Sequence, residues 1–162
     1  MLGPFDTSLD PQINREAWGV LVRATPQAVA FVGVSDVDSA NIAAVRELHQ
    51  GRWAAVGVGL SSDALDAAAD GELVLVSGET FLQGLIAGRL QAAHLRRGTE
   101  LLSGWVQVPP LVVTRRNAAE IIARQASPEK TAAWYGKHDA NLINHPDRYL
   151  RPLSESAVGA AG

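Results

Sequence analysis

Few side chains in this 162-residue sequence stand where chemistry would need them. The four histidines, His49, His94, His138 and His145, never fall at a metal-ligand spacing such as HExxH, and no cysteine can join them. No metal site is therefore expected. The lack of cysteine also removes disulfides and thiol nucleophiles. No GxSxG elbow and no Walker loop is present. Gly57-Val58-Gly59 opens like a dinucleotide fingerprint, but Ser62 stands where the third glycine belongs, the residue that lets a helix pack closely on its strand. No cofactor is expected.

What remains is a set of carboxylates at the ends of apolar runs. Ser35, Asp36 and Asp38 follow directly on Gln27 to Val34 (QAVAFVGV). Loops at the C-terminal ends of parallel strands are where open α/β sheets bind ligands. A carboxylate at Asp36 can accept hydrogen bonds from the hydroxyls of a sugar or polyol. The plainer role for this turn is capping of the next helix, by Asp38 or Ser39. A second polar strand end is Ser77-Gly78-Glu79, where Glu79 and Thr80 both qualify as helix-start residues. If the two ends share one crevice, Asp36 and Glu79 face the same small polar ligand. As an acid/base pair they would make an enzyme, but no nucleophile or activating partner accompanies them. The expectation is binding without catalysis.

The elements that must position these residues alternate in type. Pro11 to Ala24 has helical spacing and ends before Pro26. Gln27 to Val34 reads as a strand, Ala40 to His49 as a helix, Trp53 to Val58 as a strand, Asp63 to Ala69 as a short helix, and Leu73 to Val76 as a third strand. Runs that are apolar at every position fit strands covered on both faces, the signature of a parallel sheet. Phe81 to Leu95 reads as a longer helix closed by Arg96, Arg97 and Gly98. Trp105 to Val108 and Leu111 to Val113 are short extended pieces split by Pro109-Pro110, which cannot lie inside a central strand. Helices follow at Ala118 to Gln125, with Asn117 able to cap, and from Ser127-Pro128-Glu129 to about Tyr135. Beyond Gly136 no period is evident.

Composition narrows the function classes. The chain is 47% hydrophobic and 19% charged, with 17 acidic and 14 basic side chains and a formal charge of −3. Clustered Lys and Arg are absent, the densest pairs being Arg96-Arg97 and Arg115-Arg116, so nucleic acid is not an expected partner. No apolar stretch approaches the roughly 20 residues that span a bilayer, so no membrane insertion is expected. The start, MLGPFDTSLD, lacks the basic head and apolar centre of a signal peptide, which points to the cytoplasm for the chain as written.

The order of these strings resembles the sugar-binding type (type I) periplasmic substrate-binding proteins of ABC transporters, whose fold is shared with the effector domains of lactose-repressor-like regulators. The resemblance rests on TPQAVAFVGVSDVDSANIA, RWAAVGVGLSSDAL, GELVLVSGETFLQG, and SGWVQVPPLVVTRRNAAEIIARQ followed by Ala133, Trp134 and Tyr135, over most of residues 5–135. It covers only the C-terminal lobe and the last crossovers. The resemblance so read leads to the expectation that the family's N-terminal lobe and export signal are not part of the chain as written.

The resemblance implies an α/β fold, a three-layer Rossmann-like sandwich with a mostly parallel sheet over residues 1–135, followed by an irregular tail over 136–162. It implies that the helix of residues 80–98 packs on the first lobe and so lacks its partner, leaving a missing first lobe or a second copy of the chain to cover it. By the resemblance, Asp36 would stand at the position of the cleft aspartate that bonds sugar hydroxyls, and Ser77-Gly78-Glu79 at a crossover where relatives place Asp or Gln beside the ligand. Gly78 occupies that glutamine position, and Glu79 is either its substitute or a helix N-terminal acid. Asp6, in the loop before the first helix, is a further candidate for the cleft wall. The function implied is sugar or polyol binding for an ABC importer, with a permease as partner and a periplasmic location. The alternative is a ligand-sensing lobe of a regulator or receptor, although no helix-turn-helix precedes it.

Overall fold

The computed structural model describes residues 2–49 and 52–156. They fall into two compact units, one made of Met1–Ser77 and Leu111–Ala123, the other of Gly78–Pro110 and Arg124–Gly162. The chain therefore crosses between units three times.

In the first unit, α1 (Pro11–Ala24) begins at Asp10, whose carboxylate accepts the N–H groups of Gln12 and Ile13, and has Pro11 in its first turn. Then β1 (Ala30–Val32), α2 (Asp36–Leu48), β2 (Ala54–Val58), α3 (Ser62–Asp70) and β3 (Val74–Ser77) alternate. After β4 (Trp105–Val106) of the second unit, the chain returns as β5 (Leu111–Val113) and α5 (Ala118–Gln125). The sheet order is β1-β2-β3-β5, with β1, β2 and β3 parallel and β5 antiparallel to β3. This is the expected α/β class with a mostly parallel sheet.

Successive right-handed crossovers that step in one direction put their helices on one face. Accordingly α2 packs on both α1 and α3. Beneath them lie Phe31, Ala55, Gly57, Leu75 and Val113, which share a face by register. The Phe31 ring meets Trp18 and Trp53 edge to face at centroid separations of 6.1 and 4.7 Å. The opposite face, with Ala30, Val32, Ala54, Val58, Val74 and Val112, is open: Val32 is 59% and Val112 51% exposed. The continuous apolar runs predict cover on both faces; on this second face Val56 and Val76 are half-buried, and the other residues named are exposed.

The second unit holds α4 (Thr80–Arg97), closed by Gly98 in the left-handed region. With it come α6 (Pro128–His138), α7 (Ala140–Asn144), a 3-10 turn (Pro146–Tyr149), β6 (Leu150–Arg151) and α8 (Leu153–Ser156). Strand β6 pairs antiparallel with β4. Leu82 and Ile86 of α4 are buried with Tyr135, Leu142 and Ile143, and Leu85, Leu90, Val106, Val108, Trp134 and Tyr149 surround them.

Two expectations change here. The tail over 136–162 is not irregular as far as residue 156, because Leu142 and Ile143 anchor a short helix in this core. Residues 157–162 lie outside the described residues. The helix of residues 80–98 does not leave its whole apolar side uncovered either, since its own chain buries Leu82 and Ile86. Phe81 and Leu95 remain exposed.

Candidate functional site

The polar turn after β1 is helix, not loop. Ser35 is the N-cap of α2, which starts at Asp36, and its Oγ accepts the Asp38 N–H at 3.1 Å. The Asp38 carboxylate returns the bond to the Ser35 N–H at 3.1 Å, closing a capping box. Asp38 does more than cap. Its Oδ1 accepts from Thr7 Oγ1 at 2.7 Å, Asn14 Nδ2 at 2.8 Å and Trp18 Nε1 at 2.9 Å. Its Oδ2 also accepts from Val34 N at 3.1 Å and Ser35 Oγ at 2.9 Å. Burial, the largest single influence, pushes this carboxyl up, but the bonds from Asn14, Thr7, Trp18 and Ser35 together outweigh it and hold it down at about 2. Asp38 is thus a buried structural anion joining the N-terminal loop, α1 and α2.

Its neighbour Asp36 is the exposed carboxylate of this turn. Oδ1 of Asp36 accepts the Leu60 N–H at 3.0 Å, and among the described residues no hydrogen bond is seen to Oδ2. Gly59, at φ 106, lies so close that any side chain there would strike this carboxylate. Gly57 has the same kind of duty beneath α2: a Cβ at 57 would collide with Ser39, whose Oγ donates to Val58 O at 2.8 Å. The glycines of the fingerprint-like string therefore admit a helix and a carboxylate. The Gly59 N–H donates to Val76 O at 3.0 Å, so the C-terminal ends of β1, β2 and β3 form one rim bearing Asp36, Leu60 and Ser77.

The other expected site residues divide between the units. Ser77 is buried at the end of β3, in register with Leu111. Asp6 is exposed and accepts the Ser8 N–H at 3.0 Å, one residue before the Thr7 that is tied to Asp38. Gly78 is exposed, and its carbonyl accepts from Gln83 Nε2 at 2.6 Å.

Glu79 requires a correction. It lies in the second unit, 5% exposed, with a left-handed backbone at φ 57. Its Oε2 accepts from Arg124 Nη1 at 2.7 Å and from the Tyr135 hydroxyl at 2.6 Å, and its Oε1 from Arg124 Nη2 at 3.3 Å. A carboxylate so engaged has no free face for a sugar hydroxyl, and it makes no side-chain cap to α4. The ligand role of Glu79 and its acid/base pairing with Asp36 both lose their basis. Arg124 is itself buried; its Nε has no hydrogen-bond partner among the described residues, and its guanidinium lies 4.8 Å from the Trp134 ring and 5.0 Å from that of Tyr135. Burial, then the bond to Glu79, pushes the Tyr135 phenol up, which keeps it a donor.

Sequence reasoning took Asp38 or Ser39 as the cap and missed Ser35, although the Ser35-x-x-Asp38 spacing was a legible sign of the capping box. Nothing local marks Arg124 or Tyr135, which meet Glu79 across 45 and 56 residues. Two grooves of about 450 Å³ lie between α2 and α3 and between α1 and α2, on the helical side of the first unit, and Asp36 lines neither. Among the described residues no group of three or more His, Asp or Glu side chains is placed to hold a metal ion.

No protein-family model matches the sequence, and no curated protein does. Solved structures do match. GanP, a glucose-galactose binding protein from Geobacillus stearothermophilus, is 17% identical at a TM-score of 0.59, over 69% of this chain and 40% of that one. A sugar ABC transporter's sugar-binding protein from Bacillus halodurans is 17% identical at 0.63, over 71% and 43%. A protein assigned as a LacI transcriptional regulator from Bacteroides fragilis is 15% identical at 0.56, over 68% and 37%. The chain has a partial periplasmic-binding-protein-like fold, and it spans about two fifths of the length of the chains it matches.

Proposed function

We propose that this chain binds a small sugar or related polyol through Asp36, as part of the solute-binding component of an ABC importer, by closure of a cleft and without chemistry. One observation carries the reading. Asp36 presents an exposed carboxylate at the joined C-terminal ends of parallel strands, oriented by the Leu60 N–H, on a fold shared with sugar-binding proteins. Sugar hydroxyls are donors, and a fixed carboxylate accepts them in the charge-assisted way that gives the stronger hydrogen bonds. Ser77 and Asp6, in the same unit as Asp36, are the remaining candidates of this reading, Gly78 is kept only as the residue that follows Ser77 in the chain, and Glu79 is withdrawn.

The same geometry supports a reading without chemistry. A general acid opposite Asp36 was the role open to Glu79, and Arg124 and Tyr135 hold that carboxylate. A complementary lobe, a permease and a periplasmic setting belong to the proposal through the likeness to ABC sugar-binding proteins. No helix among the described residues is long and apolar enough to cross a membrane. A second reading, the ligand-sensing lobe of a regulator, is favoured by the likeness to the LacI protein; it uses the same Asp36 site with a different output.

Thermal-shift and calorimetric titration with a panel of pentoses, hexoses and polyols tests the proposal. A sugar-dependent rise in Tm that Asp36→Ala abolishes is expected. A rise that survives the substitution removes Asp36 from the site, and silence across the whole panel removes the sugar reading.

A further inference from the structure

The chain passes between its two units at Ser77–Gly78, Pro110–Leu111 and Ala123–Arg124. Two of these crossings are stiff from local sequence. Pro109 and Pro110 have fixed φ angles at the second, and the third lies inside helix α5. The first has neither aid. Gly78 there is followed by Glu79 in the left-handed region, a conformation that a residue with a Cβ keeps only when its surroundings over-determine it.

Those surroundings belong to the third crossing. Arg124 is the residue at which α5 enters the second unit, and it takes the Glu79 carboxylate at two points, with both side chains at most 5% exposed. The pair is held in turn. The Tyr135 hydroxyl donates to the same carboxylate at 2.6 Å, and its ring stacks on Phe81 of α4 at 5.7 Å. Thr131 Oγ1 donates to the Arg124 carbonyl at 2.9 Å. Trp134 and Tyr135 lie against the guanidinium.

We propose that Glu79, Arg124 and Tyr135 form a clasp that ties the first crossing to the third and holds residue 79 left-handed, so that backbone freedom at the first crossing is confined to Gly78. Buried ion pairs of this kind are weak evidence for net stability, because desolvation offsets much of the attraction, and their better-attested use is to fix one arrangement. Here the arrangement fixed is the path of the chain where β3 leads into α4. Glu79 is a positioning residue. The inference is independent of the sugar reading, since it invokes no ligand.

Residue-resolved amide hydrogen exchange on the full chain tests it. The reporter is Gln83, whose N–H donates to Glu79 O at 3.0 Å and closes the first turn of α4. Arg124→Met is expected to speed exchange at Gln83 about tenfold or more while Val56 and Val58 of β2 change less than about twofold. Glu79→Gly added to Arg124→Met removes both the buried lone charge and the left-handed strain, and is expected to slow Gln83 again. Unchanged exchange at Gln83, an equal rise in β2, or no recovery in the double variant overturns the clasp. Should Arg124→Met fail to fold, Tyr135→Phe decides alone: a local rise of about threefold or more at Gln83 supports the proposal, and none overturns it.

Discussion

The Asp36 carboxylate accepts the Leu60 N–H at 3.0 Å, joining the first turn of α2 to the loop that leaves β2. This single bond fixes the side chain that carries the functional proposal. It exists because Gly59, directly before Leu60, has no side chain and takes φ 106. The ends of two neighbouring parallel strands are thereby brought to one exposed carboxylate.

Asp36→Ala should cost little in stability, on the order of 1 kcal/mol or less, because Asp36 is exposed and the Leu60 N–H can turn to water. Gly59→Ala should cost more, since it strains the left-handed backbone and strikes the Asp36 carboxylate. Urea denaturation of the two variants checks the order.

Asp38 should dominate the acid limb of stability. Its folded carboxyl, at about 2, lies below the ordinary value of 3.8. The charged form therefore contributes fully above about pH 4, and its contribution is lost as pH falls from there through about 2. The difference is worth about 2 kcal/mol. Asp38→Asn should lower stability at pH 7 by a comparable or larger amount and flatten its dependence between pH 4 and 2, read by urea midpoints at each pH. A variant that keeps the wild-type slope would show that other carboxylates set the limb.

Gly57→Ala should destabilise by about 1–3 kcal/mol, because the added methyl falls on Ser39 of the closely packed α2. Joining it to Ser39→Gly should return part of that loss. Strictly additive losses in the two-residue cycle would mean that α2 yields instead.

Much of the first unit was legible in the sequence. The span of α1 followed from helical spacing from Pro11 and the stop before Pro26, and in the second unit the end of α4 followed from Gly98. The alternation of strands and helices followed from apolar runs that no other element would carry. What was misread has physical causes. Ser35 to Ser39 looked like a loop because its residues are polar, yet a capping box makes such residues the first turn of a helix. The pair Leu142-Ile143 is too short to show a period, so the core it completes with Leu82 and Ile86 was invisible. Asp36 could be singled out because its place beside a strand end is local in sequence. The orientation of Glu79 is set by Arg124 and Tyr135, distant in sequence, and no local pattern encodes it.

Leu142→Ala tests that second core. Leu142 is 2% exposed against α4, so truncation should cost about 2–4 kcal/mol and speed exchange at Gln83 and Ile86. Unaltered exchange there would mean that α4 does not depend on the C-terminal segment for its cover.

The central claim is that a sugar or polyol meets Asp36 at the rim of β1, β2 and β3, and amide NMR shifts during titration with a monosaccharide panel test it most directly. The account predicts shifts concentrated at Asp36, Gly59, Leu60 and Ser77, lost in Asp36→Ala, with the Glu79 and Arg124 amides little moved. Shifts centred on the grooves beside α2, or shifts at the rim that persist without the Asp36 carboxylate, would contradict it.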